Sequence, residues 1–115
     1  MPVTIWHNPK CSTSRKVLEM IRSKGVEPHI IAYLETPPSG AEIKAVLAKA
    51  KIAARDLLRK KEPAYRARGL DDETLSEAAI IRAMTQEPVL IERPVVIAGR
   101  RAVLARPPER VLEVI

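Results

Sequence analysis

The sequence predicts an α/β domain: a mixed sheet of about four strands with a block of helices inserted midway. Three observations carry that reading. First, Val3-Thr4-Ile5-Trp6, a helical repeat and Pro28–Leu34 follow one another at the length of a strand–helix–strand unit, whose strands run parallel with a right-handed crossover. Second, Pro94–Ala98 and Ala102–Ala105 flank Gly99-Arg100-Arg101, which reads as an antiparallel hairpin. Third, the stretch between these β-rich ends carries helical spacing.

The elements follow in order. Val3–Trp6 is β-rich, and Asn8-Pro9 breaks it. From Cys11 a helix is expected to about Lys24, because Val17, Leu18 and Ile21 recur on one face and Gly25 supplies a stop. Pro28–Leu34 reads as the second strand, closed by the turn chemistry of Glu35-Thr36-Pro37-Pro38. Ser39 with Glu42 fits a capping box, and Ile43, Val46, Leu47 and Ala50 continue its helix. A shorter helical piece is expected over Ala54–Arg59. Pro63 and Gly69 break the pattern, and Asp71-Asp72-Glu73 is expected to open a helix running to about Gln86, where Glu87-Pro88 ends it. After the hairpin, Pro107-Pro108 precedes a final short helix carrying Val111, Leu112 and Ile115.

Size and composition bound the function. The 115 residues suit one domain, 1–115, built on Val, Ile, Leu and Ala, since Phe is absent and Trp occurs once. One cysteine excludes an internal disulfide. With no long apolar run and no charged leader before Val3, neither a membrane span nor a signal peptide is expected, and the reading is cytoplasmic. The net charge is +6, yet the basic residues are scattered and the longest basic run is Arg59-Lys60-Lys61, so no nucleic-acid partner is expected. No metal site is expected either.

The most informative feature is Cys11, where the first strand hands over to a helix. A thiol at a helix N-terminus faces unpaired amides and the positive end of the dipole, which favour the nucleophilic thiolate. Lowering its pKa from about 8.5 to about 7 would raise the thiolate fraction at neutral pH from roughly 3% to roughly 50%. A buried, inert cysteine is the competing reading. The polar neighbours His7, Asn8, Lys10, Ser12, Thr13, Ser14 and Arg15 make a poor apolar wall and count against it.

Three arginines stand at element ends: Arg59, Arg93 and Arg106. A guanidinium fork suits oxyanions, but spacing alone does not show that these residues meet. For the bond between Arg93 and Pro94 the residues by themselves favour trans. A phosphatase-like loop would need an arginine where Val17 stands, so that reading is removed. Ser14 occupies the position of a second thiol, so a self-contained dithiol cycle is unavailable and any redox turnover needs an outside thiol.

Five segments together resemble the glutaredoxin-coupled arsenate reductase family: His7–Arg15, Tyr33–Pro38, Leu57–Lys60, Glu92–Val96 and Arg106–Glu109. The resemblance covers nearly the whole chain and is to a short member, without the C-terminal extension of longer ones. It implies a thioredoxin-like fold with a helical insertion and a cis bond before Pro94. It further implies Cys11 as nucleophile, His7 near the thiolate, Ser14 as a neighbouring hydroxyl, and Arg59, Arg93 and Arg106 as oxyanion-binding arginines. The implied activity, a step of arsenic detoxification, is reduction of arsenate to arsenite through a cysteine adduct, and the implied small-molecule partner is arsenate or a related oxyanion. Glutathione is co-substrate, glutaredoxin is partner, and no cofactor is bound. Two alternatives stay open: a redox-sensing adaptor that binds RNA polymerase, and a monothiol oxidoreductase acting on glutathionylated protein.

Overall fold

The computed structural model describes residues 2–115. The chain forms two compact units, one of residues 2–36 with Arg93–Ile115, the other Pro37–Glu92.

The first unit carries a four-stranded mixed sheet in the order β2-β1-β3-β4, comprising β1 (Val3–Trp6), β2 (His29–Ile31), β3 (Val95–Ala98) and β4 (Arg101–Leu104). β1 and β2 are parallel, whereas β3 is antiparallel to both β1 and β4. This is the α/β, thioredoxin-like sheet expected from the sequence. The crossover from β1 to β2 is α1 (Ser12–Ser23), and Gly25 stands two residues beyond it at φ +77°, a conformation glycine adopts without steric cost. Gly99 plays the same part in the hairpin, where it takes φ +61° at the first position of a two-residue loop.

Ser14, Val17, Leu18 and Ile21 form the buried stripe of α1. Three of them join Val3, Ile5, Val96, Ala98, Val103, Ala105 and Val111 in one apolar cluster. Val111 comes from a 3-10 segment, Pro108–Glu113, which packs against α1 and β4 in place of the expected closing helix. The bonds Arg93–Pro94 and Arg106–Pro107 are both cis; the resemblance implied the first, and nothing in the sequence reading anticipated the second.

The second strand is shorter than expected. Pro28 lies outside it, and after Ile31 the chain turns, with the Glu35 and Thr36 amides both donating to the Ala32 carbonyl at 2.9 Å. Tyr33 and Leu34 have strand-forming side chains but sit inside that turn, because local hydrogen bonding outweighs β-propensity there.

The second unit is helical. α2 (Gly40–Ala50) begins with the capping box of Ser39 and Glu42 in full. α2 packs against α4 (Glu77–Gln86), burying Ile43, Val46 and Leu47 from one and Ile80, Ile81, Ala83 and Met84 from the other. Ala54–Leu57 is a 3-10 segment, one turn rather than a helix to Arg59. Pro63 opens the five-residue α3 (Pro63–Ala67) rather than merely breaking a pattern, since a first-turn proline gives up no intrahelical bond. Asp71-Asp72-Glu73 does not open α4. The Asp72 carboxylate is taken by the amide and hydroxyl of Thr74, and Ser76 caps the helix by accepting from the Ala79 amide. Among the described residues no helix is long and apolar enough to cross a membrane.

Candidate functional site

Sheet register explains how distant residues of the first unit meet. Trp6 lies opposite Val95, and Val95 opposite Leu104, so the chain leaves β1, enters β3 and leaves β4 at one end of the sheet. One further bond, from the Ala105 amide to the Pro94 carbonyl at 3.0 Å, extends the ladder beyond β4. Residues just outside these positions include the loop to Cys11, Arg93 and Arg106. The Arg106 guanidinium donates through Nη1 to the Arg93 carbonyl at 3.0 Å and reaches Cys11 Sγ at 4.0 Å, the outer limit of an N–H···S contact.

Cys11 is the N-cap residue of α1, with extended backbone at φ −96° and ψ 122°, a partly exposed side chain and a free thiol. Burial pushes this thiol up. The Ser14 amide, the hydrogen bond and charge of Arg93, and the Thr13 amide outweigh burial and hold the pKa below the ordinary thiol value. Arg93 therefore contributes the side-chain effect on the thiolate, while the Arg106 fork is also tied to the Arg93 backbone.

The His7 and Ser14 side chains meet each other. Ser14 extends the stripe of Val17, Leu18 and Ile21 by one turn, so its hydroxyl is buried and needs partners. It accepts from the Asn8 amide at 3.1 Å and shares a 2.6 Å hydrogen bond with His7 Nδ1, the ring tautomer setting which of the two donates. Burial first, then the charges of Arg22 and Arg15, hold His7 below its ordinary value of 6.5, so the ring is neutral at pH 7.

Arg59 belongs to the second unit. Short antiparallel pairing there, with Arg59 N–H donating to Leu90 C=O and Glu92 N–H to Leu57 C=O, sets Arg59 beside Glu92. Its guanidinium pairs with Glu92 at 2.7 Å and with Glu62 at 3.2 Å. Burial works against this charge, but the two carboxylates outweigh it.

In the sequence Asn8 reads as part of a breaker and as one of the polar neighbours of Cys11, with no role of its own. In the structure it is 7% exposed and hydrogen-bonded on three sides within the Cys11 loop. The available signal was Asn before Pro at the start of a turn.

The arrangement in the first unit can do two things chemically: present an activated sulfur nucleophile, and hold a small anion beside it with guanidinium donors. A model of the ArsC family matches residues 6–114. The uncharacterized protein YfgD of Escherichia coli (strain K12) is 46% identical over 98% of this chain and 96% of its own length. An arsenate reductase of Rhizobium meliloti (strain 1021) is 44% identical over 100% of this chain and 82% of its own. The solved arsenate reductase from Vibrio cholerae has a TM-score of 0.97 at 43% identity, covering 100% of this chain and 98% of that one.

Proposed function

Because this chain belongs to the ArsC family, we propose that it is an arsenate reductase that takes its electrons from glutathione and glutaredoxin. The single observation that supports this most is Cys11 itself, a thiol at a helix N-terminus with its pKa lowered and the Arg106 guanidinium 4.0 Å from its sulfur.

In the proposed reaction the Cys11 thiolate attacks arsenic(V), forming an S–As bond as one hydroxyl leaves as water. Arg93 and Arg106 offset the charge of the oxyanion during this attack. Arg59 enters only by its match to the family's third arginine. Glutathione, a co-substrate, displaces a second hydroxyl as water and becomes bonded to arsenic through sulfur. A glutaredoxin thiolate then attacks the glutathione sulfur; a disulfide forms, and the electrons of the broken S–As bond stay on arsenic, which becomes arsenic(III). Water hydrolyses the remaining Cys11–arsenic bond, releasing arsenite and the thiol. With one cysteine in the chain, both electrons must come from outside thiols, which favours a reducing, cytoplasmic setting.

The test is arsenite formation by purified protein supplied with arsenate, glutathione and glutaredoxin. Turnover is expected for the wild type and none for Cys11→Ser. A wild type that forms no arsenite with both thiols present overturns the reading. If it instead removes glutathione from a glutathionylated protein without regard to arsenate, Cys11 serves a monothiol oxidoreductase.

A further inference from the structure

We infer that Asn8 is a positioning residue for Cys11: its side chain and backbone close the Asn8–Cys11 turn and hold Cys11 in the extended conformation that sets it at the N-cap of α1. The inference rests on the reading of Cys11 as the reacting thiol and assigns a role to a residue outside the arginine and histidine set.

Three bonds carry it. The Cys11 amide donates to the Asn8 carbonyl at 3.0 Å, which makes residues 8–11 a four-residue turn with Pro9 at its second position. Asn8 Oδ1 accepts from the Lys10 amide at 3.0 Å, satisfying the one donor inside that turn. The Asn8 amide donates to Ser14 Oγ at 3.1 Å, tying the start of the turn to the first turn of α1. All three bonds end within residues 8–14, and the loop starts from a fixed point, because the His7 amide donates to the Ile31 carbonyl at 2.9 Å.

Removing Oδ1 leaves the backbone bonds possible but frees the turn to open. Lys10 is exposed, so its amide can turn to water, and little folding stability is lost. The conformation of Cys11 relaxes, and with it the placement of its sulfur at the start of α1. A merely structural asparagine would give the opposite pattern: lost stability with an unchanged thiol.

The experiment measures alkylation of Cys11 by iodoacetamide as a function of pH in wild type, Asn8→Ala and Asn8→Ser. Asn8→Ala is expected to move the profile to higher pH and slow alkylation at neutral pH about three- to tenfold, the worth of one hydrogen bond, with the unfolding midpoint nearly unchanged. Asn8→Ser, whose hydroxyl can accept from the same amide, restores most of the rate. In arsenate turnover Asn8→Ala lowers kcat with KM unchanged. An Asn8→Ala profile that coincides with wild type overturns the inference. Should the variants fail to fold, amide exchange in the wild type decides: protected Lys10 and Cys11 amides support the role, and exchange at free-peptide rates removes it. If the alkylation pattern appears and no arsenite forms, Asn8 stands and the arsenate reading falls.

Discussion

Arg106 and Cys11, 95 residues apart in the chain, come within 4.0 Å of each other through Nη1 and Sγ. The same Nη1 donates at 3.0 Å to the carbonyl of Arg93, the residue whose own guanidinium helps hold the thiol in its charged form. Two arginines thus stand in different relations to one sulfur, one acting on the thiolate and the other held beside it with donors to spare.

Their removal should therefore separate activation from binding. Arg93→Ala is expected to shift the alkylation profile of Cys11 to higher pH. Arg106→Ala should move that profile less and raise KM for arsenate roughly tenfold to hundredfold, the range for a charge-assisted hydrogen bond. Steady-state kinetics beside the alkylation profile checks both, and an exchange of the two phenotypes would refute the division.

Ser14→Ala removes a fully buried hydroxyl that serves both the Asn8 amide and His7 Nδ1. Leaving these groups without a partner should cost about 1–3 kcal/mol, read as a lower urea midpoint with unchanged slope. The Ser14 amide, which lowers the Cys11 pKa, survives the change. Stability should fall more than thiol reactivity; a reactivity collapse at full stability would contradict this.

His7 gives the fold a pH dependence of definite sign. Its folded pKa lies below 6.5, so the unfolded chain takes up a proton that the folded chain refuses. This contribution is complete above about pH 6.5 and is lost as pH falls from there toward the folded value. Denaturant titrations of wild type and His7→Gln at pH 7.5 and 5.5 should diverge, the variant losing less stability on acidification. Equal losses would exclude His7 as the source.

Ser39→Ala tests the second unit independently of the thiol. It breaks the capping box, in which Ser39 Oγ accepts from the Glu42 amide at 3.1 Å and the Glu42 carboxylate accepts from the Ser39 amide at 2.9 Å. The expected cost is about 0.5–2 kcal/mol, with the Cys11 alkylation profile unmoved. A shifted profile would show that this cap has a role beyond its helix.

Much of the fold was legible locally. Val17, Leu18 and Ile21 declare the face of α1, Gly25 its end, and Ser39 with Glu42 the start of α2, because caps and helical periodicity act within a few residues. Tyr33-Leu34 and Asp71-Asp72-Glu73 misled the reading. The first pair has strand-like side chains in a hydrogen-bonded turn, and the acidic run looks like a first turn, although Asp72 bonds to Thr74 and Ser76 begins the helix. Side-chain identity does not reveal which local hydrogen bond wins.

From residue identity alone came the lone thiol before a helix, the want of a second cysteine and three arginines at element ends, all set by type and order along the chain. Only the tertiary structure decided that Arg106 reaches Cys11 and Arg93 acts on its thiol, that the Ser14 hydroxyl bonds to His7, and that Arg59 is paired with Glu62 and Glu92. Those contacts depend on strand register and on which side of a helix lies in the core. Both are set by the simultaneous packing of segments far apart in sequence, and no short window of residues contains that information.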